Sequence, residues 1–443
     1  MDIAFSSHFT YKKLFRFVIP SVVMMIFTSI YNVVDGIYVS NIVGTTQFAA
    51  LNFIFPYLMI LGAFGFMVGA GGSALVSKTM GEGRHQKANS IFSMLVCFTI
   101  IMGIVLTIVG YVCLRPFAIL FGAEGELLEY AINYAWYLMP GVLPLMLQGM
   151  FQTFMVTAEK PHLGLWITVG AGITNIILDA VLIGALGMGL KGAAIATTLG
   201  QVVGGFVPLI YFLCPNKSRL KFVKPIFEIR ALLKSLLNGS SEFITNISIS
   251  VVEMIYNWQL LRLLGEDGVS AYGVYSYLSF IFVAIFLGYA IGVAPIIGFN
   301  YGAQNHEELQ NVFKKSIRFI LVSSVSMTLI SLIFAPQLAG IFASKDPELL
   351  KLATTVLRIS SLSYLLAGVN IFASAFFTAL NNGVISATIS FSRLLLFQVV
   401  TVTVLPLFMG VSGVWTAIVA SELLAIIVAL TFLVTQRKKY RYL

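Results

Sequence analysis

Residues 81–92 read GEGRHQKANSIF, and residues 302–313 read GAQNHEELQNVF. The two stretches share Gly, His and Phe at matching places and lie 221 positions apart, about half the length of the 443-residue chain. The same offset brings Gly71 onto Gly292. A register held over such distances indicates an internal duplication. The sequence therefore predicts a fold made of two copies of one unit.

A one-residue slip interrupts this register. ELLEYA at 126–131 matches ELLKLA at 348–353 with an offset of 222. The offset returns to 221 where the pair at 157–158 meets the pair at 378–379, both Thr-Ala. We therefore expect the two copies to differ locally by one residue and to agree elsewhere.

The chain is 58% hydrophobic and only 10% charged, which excludes a soluble globular protein. Its apolar runs are long enough to cross about 30 Å of hydrocarbon as helices, and they do not alternate as barrel strands do. We expect an all-α integral membrane protein with twelve transmembrane helices in two six-helix bundles related by an internal repeat. The predicted spans are 15–41, 49–76, 89–113, 131–157, 162–185, 191–213, 236–262, 269–297, 316–335, 352–379, 384–409 and 413–435.

The spans divide the chain into an N-lobe at 1–214, a basic inter-lobe loop at 215–235 and a C-lobe at 236–443. Because each lobe has an even number of spans, both enter the membrane in the same direction. An axis along the membrane normal then relates them and leaves a cleft between two lobes. Such a cleft suits transport by alternating access.

The net charge of +9 is unevenly placed. With both termini in the cytoplasm, the inner segments hold 20 of the 27 Lys and Arg residues and the outer segments hold five. This bias orients membrane helices, so the basic residues predict contact with an anionic bilayer rather than with nucleic acid. We expect a multi-pass protein of the bacterial plasma membrane without a signal peptide.

Asp35, Asp179 and Thr197 share one depth in the predicted N-lobe, roughly 9 Å below the outer boundary at 1.5 Å per residue. Asn175, four residues before Asp179, lies on the same helix face one turn deeper. Carboxylate, amide and hydroxyl oxygens suit Na⁺, and crowded carboxylates also suit a shared proton. The alternative is that the two carboxylates only hydrogen-bond neighbouring helices. At an offset of 221, Asp35, Asn175 and Asp179 meet Tyr256, Leu396 and Val400, which predicts a cation set in the N-lobe alone.

The C-lobe spans carry polar residues of their own. Glu242 and Arg393 lie at similar depth, so we expect a buried ion pair that is either structural or part of the substrate path. Glu253 is the repeat counterpart of Asn32 and is a candidate substrate or proton site. The predicted substrate path also includes Asn32, Tyr31, Tyr256, Asn257 and Gln398.

The sequence lacks a phosphate-binding Gly-Lys-Ser/Thr loop and any nucleophile with a base at interpretable spacing. Its three cysteines show no metal-ligand spacing. We therefore expect neither an enzyme nor an ATP-driven pump, no cofactor, and an ion gradient as the source of energy.

These motifs together resemble the multidrug and toxic compound extrusion (MATE) family, in particular its bacterial multidrug-efflux and DNA-damage-inducible branch. The resemblance covers nearly the whole chain and rests on YNVVDGIYVS in span 1, GGSALVSKTMGEG after span 2, NIILD in span 5, GLKGAAIAT in span 6 and NGSSEF opening span 7.

The resemblance implies export of organic, often cationic, compounds in exchange for Na⁺ or H⁺. It assigns the cation site to Asp35, Asn175, Asp179 and Thr197, which match the family positions. Span 10 has no acidic residue in its core, which places a second cation site in the C-lobe in doubt. We expect a monomer. Alternatives are a lipid-linked saccharide flippase, which needs a strongly cationic cavity, and a membrane prenyl or acyl transferase, whose motifs are not found.

Overall fold

The computed structural model describes residues 5–42, 45–120, 122–343 and 346–443, without the side chains of 35–42, 45–49 and 52. All regular secondary structure in these residues is helical, which confirms the all-α fold class. The twelve main helices are α1 (Tyr11–Ile42), α2 (Thr45–Gly81), α3 (His85–Leu120), α4 (Gly125–Leu138 and Val142–Thr157), α5 (Pro161–Ala185), α6 (Gly189–Leu213), α7 (Ile229–Leu264), α8 (Glu266–Gly302), α9 (His306–Ile333), α10 (Pro347–Ala379), α11 (Gly383–Met409) and α12 (Val411–Thr435).

Each main helix corresponds to one of the twelve predicted spans, although the span 316–335 runs two residues past the end of α9 at Ile333. Within the described residues, ten helical segments are long and apolar enough to cross a membrane, and α4 and α7 complete the set. Most helices run a few residues past the predicted spans, because a helix continues beyond the hydrocarbon into the headgroup region. Two short helices, Ala335–Ala343 and Arg437–Tyr440, lie outside the twelve.

Irregular turns repeat along with the helices. The 3-10 turn Met139–Gly141 inside α4 recurs as Ser361–Ser363 inside α10, at the offset of 222 predicted for this part of the chain. Gly83, with φ +77°, and Gln304, with φ +55°, occupy equivalent left-handed turns at an offset of 221. Such turns cost free energy in a non-glycine residue, so their recurrence supports a true duplication.

The two halves meet where α1 and α2 pack against α7 and α8. Gly81 in α2 lies against the carbonyl oxygen of Phe299, and its repeat counterpart Gly302 in α8 lies against that of Lys78. A side chain at either glycine would overlap the backbone of the other half. The missing Cβ atoms therefore allow the two helices to cross closely at this end.

Residues 5–10, the C-terminal residues 437–443 and the inter-lobe loop lie on one surface, which we call the terminal face. Residues 5–10 run across it and join the two halves. The amide of Phe5 donates to Glu159 Oε1 at 2.9 Å, in the turn between α4 and α5. The amide of Phe9 donates to Glu308 Oε1 at 2.9 Å, at the start of α9. His8 Nδ1 lies 2.7 Å from Glu308 Oε2, so the segment is anchored to both halves.

Candidate cation and substrate site

A cavity of about 200 Å³ opens inside the first six helices. Its walls come from α1, α2, α4, α5 and α6, and they combine aromatic and aliphatic side chains with neutral polar groups. A pocket with a few convergent polar groups in an apolar wall is typical of small-molecule sites. The amide and hydroxyl side chains of Thr, Asn and Gln that line it are Thr28, Asn32, Gln148, Gln152, Asn175, Thr197 and Gln201.

Asn175 faces this cavity from α5. Its side chain is 4% exposed, and its Oδ1 atom has no hydrogen-bond partner among the described residues. Gly200 of α6 makes room for it, because a Cβ there would lie 3.0 Å from the Asn175 Cβ. A buried carbonyl oxygen without a donor is costly, and such an oxygen is also a ready ligand for a cation.

Asp179 lies one helical turn beyond Asn175 and is 2% exposed. Immediately after it, α5 widens into the π-helical segment Ala180–Ala185. Single π-helical turns are frequent at functional sites because they re-aim neighbouring side chains. Asp179 does not line the cavity itself and lies behind Asn175.

The structure brings together part of the predicted cation set. Asn175 and Thr197 line the same cavity, with Asp179 one turn away. The side chain of Asp35 lies outside the described residues, although its backbone belongs to α1. Clusters of three or more His, Cys, Asp or Glu side chains do not occur in the described part of the chain.

Two predicted substrate-path residues, Tyr31 and Asn32, also line the cavity from α1. The Tyr31 ring packs beside Phe27 with centroids 6.0 Å apart. An aromatic wall can hold a flat or cationic ligand by ring stacking and cation–π attraction.

The predicted ion pair between Glu242 and Arg393 is wrong. Arg393 in α11 pairs instead with Glu422 in α12, with Nη2 to Oε1 at 2.8 Å and Nε to Oε1 at 2.8 Å. Asn370 in α10 donates to Glu422 Oε2 at 2.7 Å. Similar depth allowed the first pairing, but α12 brings a carboxylate closer and at an angle that suits a bidentate contact. Glu242 is half-buried in α7.

The other C-lobe candidates lie apart from the cavity. Tyr256 is fully buried and stacks on Tyr272, with ring centroids 5.0 Å apart and planes 2° from parallel. Glu253 is half-buried three residues before it on α7, and Asn257 is exposed. These positions form a separate polar and aromatic region in the second half.

The repeat counterparts predicted for Asn175 and Asp179 are wrong, because the paired residues do not occupy equivalent positions in the two halves. Leu396 and Val400, the residues at offset 221, are 44% and 45% exposed, whereas Asn175 and Asp179 are buried. Equivalent positions in a duplicated fold should face the same way. The register must therefore change within α11.

The turn before α11 contributes one residue of the difference from 221, because the equivalent left-handed residues Glu159 and Asn381 are 222 apart. The π-helical segment Phe391–Phe397 contributes the second. Gly192 packs against the backbone of Leu182 in the first half, and Gly413 packs against that of Leu405 in the second. The glycines are 221 residues apart and the leucines 223. A π turn holds more residues than an α turn, so α11 contains an additional residue over nearly the same length.

At an offset of 223, Asn175 corresponds to Gln398 and Asp179 to Val402. Val402 is fully buried, as Asp179 is, and Gln398 is half-buried. The repeat counterpart of the Asp179 carboxylate is therefore the apolar side chain of Val402, so the two halves differ in polarity at this position.

The sequence did not single out four residues: Gln148, Gln152 and Gln201, which line the cavity, and Glu422 in the second half. At offsets of 222 and 221, the repeat counterparts of Gln148 and Gln201 are Asn370 and Glu422. Glu422 carried a signal, since it is an acidic residue inside a predicted span. The first half therefore places neutral amides where the second half has a carboxylate that is already paired.

Residues 20–181 and 243–404 each match the sequence model of the MatE family. The chain belongs to the MatE family. It is 25% identical over 429 residues to the multidrug export protein MepA of Staphylococcus saprophyticus subsp. saprophyticus, and the alignment covers 95% of this chain and 93% of MepA.

Solved MatE-like structures share the fold. One describes the outward-facing conformation of a multidrug resistance MATE family transporter of the MOP superfamily, with a TM-score of 0.90, 24% identity and coverage of 97% and 96% of the two chains. Another is a MOP superfamily transporter from Pyrococcus furiosus with reverse polarity of its binding pocket, at a TM-score of 0.88, 25% identity and coverage of 97% and 96%. As a MatE-family chain, the protein is a multi-pass membrane transporter and not an enzyme.

Proposed function

We propose that this MatE-family chain is an antiporter that exports organic, mainly cationic, compounds in exchange for Na⁺ or H⁺. The carrying observation is the buried Asn175 oxygen, which lines the same cavity as Thr197 and lies one turn from Asp179. A cation bound at these oxygens favours one arrangement of the two lobes, and the organic compound favours the other. Asp35 completes the proposed cation set by its position on α1.

The proposed substrate class rests on the cavity wall. Cations suit a wall with an aromatic ring, several amide oxygens and no basic side chain among its described lining residues. The MepA relatives, which are multidrug export proteins, support the same class. We propose that the chain works as a monomer with both termini in the cytoplasm, as its inner basic residues favour. In this orientation the structure, with its terminal face closed, faces outward.

A lipid-linked saccharide flippase is the second candidate. It needs a cationic cavity for a diphosphate, and Arg393, the basic residue of α11, is the candidate that could supply this charge. Glu422 neutralises this guanidinium at 2.8 Å, which disfavours that function. The reversed pocket polarity of the Pyrococcus furiosus transporter shows why the charges of each chain have to be considered separately.

The test is ethidium efflux from proteoliposomes under an imposed Na⁺ gradient or an imposed pH gradient, each alone. We expect one gradient to drive efflux, and Asp179→Asn to abolish the coupling. Thr174→Val, a change at a neighbouring residue of α5 whose hydroxyl bonds Gly170 O, should leave it intact. Unchanged cation-driven exchange after Asp35→Asn plus Asp179→Asn would refute the proposed site.

A further inference from the structure

A second cavity, of about 160 Å³, lies on the terminal face between the two halves. The end of α2 and the start of α3 form one wall, and the start of α7 forms the other. Its charged lining residues are Lys78, Glu82, Arg84, Lys87, Glu228, Arg230 and Lys234. Five basic groups against two acidic ones leave a net charge of +3.

Three of the basic side chains form ion pairs with the two carboxylates. Glu82 pairs with Arg84 and, at 3.9 Å, with Lys78, and Lys87 Nζ lies 3.1 Å from Glu228. Among the described residues, Arg230 and Lys234 have no ion-pair partner. The charges of Lys234 and Arg84 also repel that of Lys78. Such a group of like charges on both halves attracts an anion that would sit between them.

The segment next to this cavity is apolar and exposed. Residues 221–228 form no helix and lie along α3, where the amide of Val223 donates to Ser93 Oγ at 2.9 Å and that of Ile226 to Ser90 Oγ at 3.1 Å. This leaves Ile226 71% and Phe227 69% exposed, and Leu233 and Leu237 of α7 are also exposed. Basic groups at helix ends beside exposed apolar side chains mark the headgroup level of a membrane.

The internal repeat supplies an independent comparison. The repeat counterparts of Arg230 and Lys87 are Phe9 and Glu308. In the second half this place is closed by the chain itself, because Phe9 is fully buried and its amide donates to Glu308. The first half keeps the corresponding space open and replaces the carboxylate by an ammonium group. An anionic ligand would complement the charge of this open space.

We propose that this cavity binds the phosphate group of an anionic phospholipid, which thereby links the two halves on the terminal face. About 160 Å³ admits a phosphodiester with part of a glycerol arm but not a whole lipid. The acyl chains then lie against Ile226, Phe227 and Leu233. Free phosphate offers the same charge but nothing for these apolar side chains to contact.

The experiment measures lipid binding to the full-length protein in detergent by native mass spectrometry, with phosphatidylglycerol and phosphatidylcholine as probes. We expect phosphatidylglycerol to bind at one saturable site. Arg230→Gln plus Lys234→Gln should weaken this binding about 30-fold, since each basic residue near an anionic lipid contributes roughly fivefold. The matched control Arg437→Gln plus Lys438→Gln, on the same face, should change it less than twofold.

Two further arms identify the source of the phosphate. Glycerol 3-phosphate and inorganic phosphate should displace phosphatidylglycerol only at far higher concentrations. Phe227→Gln should weaken the binding of phosphatidylglycerol and leave the binding of these soluble anions unchanged. Equal competition by soluble phosphate would overturn the lipid assignment, and equal binding by Arg230→Gln plus Lys234→Gln would overturn the site. If this variant does not fold, Lys234→Gln alone should show a loss of about fivefold.

Discussion

At the residue scale, Asn175 carries the sharpest prediction, because function and stability should move in opposite directions. Its Oδ1 atom is buried without a partner among the described residues, at a cost of about 1–3 kcal/mol. Asn175→Leu removes that cost at similar volume. We therefore expect a thermal midpoint at least as high as that of the wild type and an apparent cation affinity at least tenfold lower.

Thermal unfolding in detergent and cation-driven efflux measure the two effects on the same preparation. Thr174→Val is the matched control on α5 and should keep the cation affinity. A lower midpoint with normal cation affinity would mean that Asn175 is a packing residue.

The ion pair of Arg393 and Glu422 should be structural. The side chains are 13% and 3% exposed, so removing one partner leaves an uncompensated charge in the protein interior. We expect Glu422→Gln to destabilise the protein by about 3–5 kcal/mol, and Arg393→Met plus Glu422→Leu to recover most of that loss. Efflux by this double variant should remain. Loss of efflux from a stable double variant would place Arg393 in the substrate path.

The sequence located individual site residues better than it located their partners. The high cost of polar groups in a membrane was enough to single out Asn175, Asp179, Thr197 and Arg393. The partner of Arg393 depends on how α10, α11 and α12 pack, and depth along each helix contains no information on rotation. Depth therefore favoured Glu242 and did not point to Glu422, the partner that helix packing supplies.

At the element scale, the π-helical segments set the limit of what the repeat could predict. The twelve spans follow from hydropathy, and the 222 offset at 126–131 follows from the repeat. The extra residue of Phe391–Phe397 leaves no mark in composition, so the offset of 221 assigned exposed residues as counterparts of buried ones. Only the contacts of Gly192 and Gly413 reveal the change to 223.

The segment of residues 5–10 should hold the terminal face closed. Glu308 accepts from the amide of Phe9 and from Asn311 Nδ2 at 2.8 Å, and it lies against His8. Hydrogen bonds to a charged group contribute about 1.5–3 kcal/mol each. We expect Glu308→Ala to accelerate amide hydrogen exchange in residues 5–13 at least tenfold.

Mass spectrometry of deuterated peptides from this segment measures that exchange. Glu307→Ala is the control, since Glu307 is an exposed neighbour in the same helical turn. Equal exchange rates in the two variants would show that Glu308 does not anchor the segment.

At the scale of the whole molecule, the duplicated architecture was predictable because an offset of 221, with a one-residue slip, relates residues at many separate places in the two halves. Both copies place a glycine at the crossing of α2 and α8, and that crossing closes one end of the inter-lobe cleft. The sequence did not show which end is closed, since the pairing of Gly81 and Gly302 with backbone carbonyls of the opposite half depends on the tilt of the lobes.

Gly302→Leu should therefore shift the transporter away from the closed terminal face. The introduced leucine side chain would overlap the backbone carbonyl of Lys78. The closely packed backbones cannot relieve this overlap while α2 and α8 cross at this point. Ser77 is fully buried beside this crossing, so Ser77→Cys reports its opening in a protein whose Cys97, Cys113 and Cys214 are replaced by Ala. We expect a water-soluble maleimide to label it at least tenfold faster in Gly302→Leu. Gly340→Leu, at a glycine with open space around it, should label as slowly as the parent. Slow labelling in both variants, with efflux intact, would mean that this crossing is not part of the moving interface.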